Sequence, residues 1–415
     1  MHSLLRIWRQ SNISNNNNKA HCFLSSSPRY ASNHSGTKVI RSPTRVAPRN
    51  SIGSKLSRSP ALERHFGLNS VRLMSKDEKR GFEAVLPDVL RDLGSIAEQY
   101  KSKEAGEWFR KSLQYNLSLT NYKNGLIPVL TYKSLAKGEQ LRAEHLRLAH
   151  ILGWCFEMML CFILIADDMV DKSTIRRGQL CWHKLEEVGL SAKNDIILIE
   201  NGIYELLNKH FRHLDCYVDL LELFHQNIFK CLCGQSLDFL LTKRNVTTFN
   251  METYDSLVMN KTSCHFFYLP VFVGMHLAGV NDKNVFDESQ SILFDLGHYS
   301  QVQNDFHDCF GKYEYTGKIG TDIETNKCSW LAVKCMELAN TQQKSIMAEC
   351  YGHNDPQKID RVKHVYEELD MLNIYAKYEE DTCNNILMNI QKTSDTVPRE
   401  ILIEILCQIY DKEIK

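Results

Sequence analysis

Several features are scarce in this 415-residue chain. None of its 14 cysteines form a C-x-x-C pair, and no secretory apolar segment opens it. A disulfide framework is therefore disfavoured against reduced, mostly buried thiols, with a structural zinc site the weaker alternative. Charge of one sign is not in excess, since 50 Lys and Arg balance 50 Asp and Glu. No zinc-finger spacing, RNP-like aromatic motif or basic stripe is present, so no nucleic-acid partner is expected. Unbroken apolar runs fall short of the ~18–20 residues needed to span a bilayer. The closest, "LGWCFEMMLCFILIA" (152–166), carries Glu157 and reads as a buried helix, so no membrane span is expected. Proline is absent from 129 to 269 and from 271 to 355. Apolar residues there recur at three- and four-residue spacings, as in "LVMNKTSCHFFYL" and "ILIEILCQIY", which predicts long helices and an all-α fold.

Acidic residues are nearly missing from residues 1–75, where Glu63 stands against twelve Lys or Arg amid Ser and Asn. That composition reads as a mitochondrial transit peptide, with a disordered leader and a cytoplasmic protein as the alternative. A charged amphipathic pattern begins near Ser75, so residues 76–415 are expected to form one large catalytic domain.

Two acidic clusters share one spacing. "IADDMVDKSTIRRGQ" holds Asp167, Asp168 and Asp171, and "QVQNDFHDCFG" holds Asn304, Asp305 and Asp308. On a helix, positions i and i+4 face the same way, so Asp167 pairs with Asp171 and Asn304 with Asp308. Like charges stacked beside an apolar stretch call for a counter-ion. A hard divalent cation such as Mg²⁺ fits, because it takes a few carboxylate oxygens and shares its other positions with water and substrate phosphate. The plainer alternative is a solvated acidic face.

Basic residues follow both clusters. Arg176 and Arg177 come after the first, Lys318 and Lys327 after the second, and Lys261 with Thr262 lies in an apolar helical stretch. They suit phosphate oxygens, although surface salt bridges to the Asp residues are the simpler use. Phe162, Phe266, Phe267, Tyr268, Phe294 and Tyr299 are core candidates singly. As a set they would line an apolar pocket for a prenyl chain and shield a carbocation from water.

The segments "DDMVDKSTIRRGQLCW", "KTSCHFFYLP" and "NDFHDCFG…TGKIGTDIETNKCSWL" resemble those of eukaryotic farnesyl diphosphate synthases, and the resemblance runs from residue 75 to the C-terminus. It implies an all-α isoprenoid (polyprenyl) synthase fold, a helical bundle around a central cavity, in a homodimer. It also implies three Mg²⁺ ions bridging the two motifs to an allylic prenyl diphosphate. Asp167, Asp171, Asn304 and Asp308 would be the metal ligands, with Asp168 and Asp305 completing the catalytic motifs. Arg176, Lys261, Thr262, Gln301 and Lys318 would hold the allylic diphosphate, supported by Arg177 and Lys327.

The departures from that pattern direct the functional expectation. The isopentenyl diphosphate site of such enzymes uses a Lys and an Arg in a "YNVPGGKxNRG"-like stretch; here "YNLSLTNYKNG" places Asn121 and Asn124 there. Leu160 stands where a Gln would be a third contact, leaving Arg177. Three lost charge-assisted contacts would cost on the order of 5 kcal/mol, thousands-fold in affinity. Ile163 replaces an aromatic below the first motif, and Cys264 and His265 replace a Phe-Tyr pair, so the pocket is expected to be reshaped. Asn304 still offers an amide oxygen to Mg²⁺, as in class I terpene synthases. The expectation is therefore an insect-type terpene synthase that ionises farnesyl diphosphate alone. It would cyclise the cation to a sesquiterpene alcohol or olefin of the kind that serves as a pheromone precursor. A trans-prenyltransferase coupling isopentenyl diphosphate to an allylic diphosphate is the first alternative, and a non-catalytic partner subunit the second.

Overall fold

The computed structural model describes residues 73–118, 122–311 and 320–410. The leader, Asn121 and Lys318 thus lie outside the described residues, apart from residues 73–75. The chain is built of helices: α1 (Lys76–Glu83), α2 (Leu86–Glu98), α3 (Lys103–Leu117), α4 (Lys123–Leu135) and the long α5 (Ala143–Val170). Next come α6 (Ala192–Phe211), α7 (Tyr217–Leu241), α8 (Met251–Val258), a π-helical segment (Met259–Tyr268) and α9 (Leu269–Leu277). The 28-residue α10 (Lys283–Phe310) follows. The remainder is α11 (Trp330–Leu338), α12 (Thr341–Cys350), α13 (Pro356–Glu368), α14 (Met371–Lys392) and α15 (Arg399–Tyr410). The all-α expectation holds.

Local sequence sets many of the starts. Ser75, Ser102, Ser329 and Asn340 each accept a hydrogen bond from a backbone N–H of the first turn, and Asp355 does so ahead of Pro356 at the first helical position. These caps satisfy donors that a helix start leaves unpaired.

Two apolar cores organise the bundle. The larger gathers α4, α5, α6 and α9 around Trp154, Phe156, Phe211 and Phe224. The smaller joins Phe306, Trp330, Tyr366 and Tyr375 from α10, α11, α13 and α14. Helix α5 carries the predicted buried run through the first core, with Glu157 accepting the Gly125 N–H at 2.8 Å. Contrary to the sequence expectation, α5 as a whole is long and apolar enough to cross a membrane. It is the one such helix among the described residues, and 78% of its most apolar window is buried inside the fold.

Besides short 3₁₀ segments, the described residues depart from α-helix in two places that bear on the clusters. After the first, Ile175–Arg176 (β1) and Gln179–Leu180 (β2) form an antiparallel pair with Arg176 opposite Gln179. Its turn residues Arg177 and Gly178 have φ of 51° and 81°, the sign a tight two-residue hairpin demands. Second, the "LVMNKTSCHFFYL" stretch is not regular α-helix: the ten residues from Met259 to Tyr268 are π-helical. Such wide turns occur mostly at functional sites. Here α7 and α10 press on it from two sides. A Cβ on Gly234 would lie 2.5 Å from the Lys261 backbone nitrogen, and one on Gly297 would lie 2.3 Å from Ser263 Oγ.

Candidate active site

The first cluster ends α5, and its members have different tasks. Asp168 is buried; both its oxygens accept from Arg176 Nε at 2.8 Å, and Arg176 Nη2 lies 2.7 Å from Oδ1. The hairpin returns the chain so that Arg176 reaches this carboxylate. Burial opposes the charge on Arg176, but Asp168 and then Asp167 outweigh it and raise its affinity for the proton. Asp167 is held more loosely, by Gln235 Nε2 at 3.4 Å and Arg176 Nη2 at 3.5 Å. Burial, followed by the charge of Asp171, pushes the Asp167 carboxyl above its usual range despite Lys261, Arg176 and Lys327.

The second cluster repeats the spacing inside α10. Asp305, in the middle, is buried and accepts from Tyr254 Oη (2.8 Å), Gln301 Nε2 (2.7 Å) and the Trp330 N–H (2.8 Å). Burial still pushes its carboxyl up. Asn304 is exposed toward a cleft of about 500 Å³, which Lys261, Thr262, Gln301, Asp322 and Lys327 also line. Asp308 Oδ1 accepts the Asp322 N–H at 2.9 Å.

The cations of this cleft converge on a residue the sequence analysis passed over. Lys261 Nζ lies 2.5 Å and Lys327 Nζ 2.8 Å from the same oxygen of Asp238, which is buried in α7. Burial alone would raise the Asp238 carboxyl, yet the two ammonium groups hold it below its usual range. Two ammonium groups thus share one carboxylate at the cleft, whose lining also includes Asp305 and Asp322. Asp238 was legible as a lone acid in the apolar run "SLDFLL", and Asp322 as the acid of "TGKIGTDI". Neither repeats the cluster spacing that drew attention elsewhere.

A second cleft, of about 460 Å³, opens beside the hairpin between Tyr115, Asn116, Leu160, Cys161, Arg177 and Trp182. Arg177 and Leu160, two of the residues singled out above, do meet there. Asn124 begins α4 without lining this cleft. The expected pocket residues Phe162, Cys264, His265 and Tyr299 are buried and Ile163 half-buried, and none of them lines either cleft. Tyr299 is tied to Glu379 at 2.9 Å instead. Burial holds the His265 imidazole neutral, with a pKa lowered to about 3.

The donor set fits a divalent cation shared with a ligand. Among the described residues no three His, Cys, Asp or Glu converge as a metal cage. At Asp167, burial and the charge of Asp171 outweigh the nearby Lys261, Arg176 and Lys327, so a further cation would be favoured there, and Mg²⁺ is held through one or two carboxylates plus substrate phosphates rather than by a protein cage. The cysteines among the described residues are all free.

A helical bundle with paired acidic arms and a cleft that carries two lysines bound to a buried carboxylate defines the class. The chain belongs to the polyprenyl synthetase family, whose profile residues 106–369 match. It is 39% identical over 351 residues to the farnesyl pyrophosphate synthase of Nezara viridula, covering 84% of this chain and 87% of that one. It is 41% identical over 347 residues to that of Kluyveromyces lactis, covering 81% and 99%. With that of Gallus gallus it shares 38% over 342 residues, covering 81% and 93%. These relatives correct the expected terpene cyclase. Relatives named as pyrophosphate synthases, matched along nearly their whole length, favour a prenyltransferase over a lyase that makes a sesquiterpene or pheromone precursor. The argument from lost phosphate contacts treated three substitutions as the removal of a site. Of the three positions only Leu160 lines the cleft beside the hairpin, and Arg177 remains at its wall.

Proposed function

We propose that this chain is a trans-prenyltransferase that joins isopentenyl diphosphate to an allylic diphosphate, with farnesyl diphosphate as product. The observation that carries the reading is the polar cleft beside Asn304, in which Lys261 and Lys327 share Asp238 and Thr262 donates to Gln301 at 2.8 Å. Arg176, Lys261, Lys327, Thr262 and Gln301 bind and orient the allylic diphosphate, together with Lys318 outside the described residues. Asp167, Asp171, Asn304 and Asp308 hold Mg²⁺, three ions by the family resemblance. When bound, Mg²⁺ supplies charge stabilisation to the departing diphosphate.

The chain's own cations stabilise the same developing charge. They are fixed in advance by Asp238 and Asp168, so little reorganisation is needed as the allylic C–O bond breaks. Its electron pair leaves with the diphosphate. The isopentenyl double bond, presented from the Arg177 cleft, then forms the new C–C bond, and a proton is lost to restore an alkene.

Two further expectations belong to this reading. Ile197 on α6 and Phe229, Phe239 and Leu240 on α7 are exposed, and a second copy of the chain covers them in a homodimer. Residues 1–75 direct the chain to mitochondria, which imaging of that segment fused to a fluorescent protein would test.

The deciding assay supplies Mg²⁺, geranyl diphosphate and labelled isopentenyl diphosphate. A labelled C15 diphosphate is the expected product. Consumption of the allylic diphosphate with no incorporation of label would overturn the reading, and so would inertness toward both substrates.

A further inference from the structure

A histidine outside both clusters joins three helices next to the diphosphate cleft. His298 of α10 has Nε2 3.0 Å from Asp255 Oδ1 of α8 and Nδ1 2.9 Å from Tyr378 Oη of α14. A carboxylate only accepts, so Nε2 carries the hydrogen toward Asp255. In the neutral ring Nδ1 then accepts from the Tyr378 hydroxyl. The result is one directed chain, Tyr378 O–H to His298 to Asp255, in which every polar atom of the imidazole is used.

Both neighbours of this ring lead to the same buried carboxylate. Tyr254 stands edge-on to His298 with centroids 5.8 Å apart, and its hydroxyl donates to Asp305 Oδ2 at 2.8 Å. Tyr378 packs on Trp330 at 5.2 Å, and the Trp330 N–H donates to that same oxygen at 2.8 Å. Asp305 in turn orients Gln301. Its Oδ1 receives the amide N–H at 2.7 Å, which turns the amide oxygen to Thr262 Oγ1 at 2.8 Å and leaves the second amide hydrogen for an anion.

We infer that His298 is a positioning residue for the diphosphate grip. It pins α8 and α14 to α10 so that Tyr254 and Trp330 hold Asp305, and Asp305 presents Gln301 and Thr262 to the ligand. The inference rests on the reading of Gln301 and Thr262 as diphosphate-binding. It adds that the geometry of this pair is set by a three-helix hydrogen-bond chain that touches no substrate.

The test is calorimetric titration of the full chain with inorganic diphosphate in the presence of Mg²⁺. His298→Phe keeps a ring against Tyr254 but removes both hydrogen bonds, and Tyr378→Phe removes a single hydroxyl. Each is expected to weaken diphosphate binding roughly three- to tenfold, the worth of one or two oriented hydrogen bonds. In a Gln301→Leu background the His298→Phe loss should shrink toward nothing, since coupled residues are non-additive. Undiminished binding in both single variants, or losses that multiply in the double variant, would overturn the positioning role. A wild-type chain that binds no diphosphate would instead remove the functional reading beneath it. Should His298→Phe fail to fold, Tyr378→Phe and Asp255→Asn carry the same comparison.

Discussion

The two acidic arms have one spacing and two constructions. In each, the middle carboxylate turns inward, while Asp167 is held loosely and Asn304 is exposed toward the cleft. Asp168 answers a full positive charge, Arg176, delivered by the hairpin. Asp305 answers three neutral donors, Tyr254, Gln301 and the Trp330 N–H, and burial raises its carboxyl. The first arm thus orders a cation, whereas the second orders polar groups and helix packing. A shared motif therefore specifies which residues face the ligand and leaves open what the inward residue does.

Asp167→Ala should separate the outer from the inner positions most sharply. It removes a loosely held outward carboxylate, so turnover should fall on the order of 10²-fold or more while the melting temperature barely moves. A stability loss as large as that of the inner variants would erase the distinction. Among the inner positions, Asp168→Asn strands Arg176 and should cost about 2 kcal/mol, tempered by the partial exposure of the arginine. Asp305→Asn loses neutral bonds and should cost about 1 kcal/mol. Chemical denaturation of both variants checks the order, and equal costs would mean that the charge on Arg176 is immaterial.

The segment between the arms adds a pH dependence. The folded pKa of His265 lies near 3, below its unfolded value, so unfolding takes up a proton. Its contribution is complete above about pH 6.5 and is lost progressively as pH falls toward 3. At pH 5 the wild type should have lost about 2 kcal/mol that His265→Phe retains. Parallel melts at pH 7.5 and 5 would show this, and identical losses would place the imidazole in water. The smallest effect belongs to Asn304→Asp. An amide and a carboxylate oxygen both ligate a hard cation, so turnover should stay within about threefold of wild type. A collapse would mean that the second arm tolerates no further negative charge.

Much of this was legible from residue order. The proline-free stretches gave long helices, the shared spacing marked the outward acids, and "RRGQ" marked Arg176 and Arg177. The β1–β2 pair was not legible, because two residues per strand leave no period to read. Nor was the π-segment, since its apolar spacing resembles that of an α-helix and its cause lies in Gly234 and Gly297 on other helices. The functional expectation went astray at Asn121, Asn124 and Leu160, where three residue identities were weighed above a resemblance that runs along most of the chain.

By itself, the sequence determined the fold class, the two arms and the cationic character of the site, because periodicity, spacing and charge are properties of the chain order. Tertiary structure alone decided that Asp238 gathers Lys261 and Lys327, that Asp168 and Asp305 face inward, and that His298 joins three helices. Each of those depends on which distant side chains meet, and for the buried carboxylates the weakly screening interior lets partner and distance set the charge a group carries.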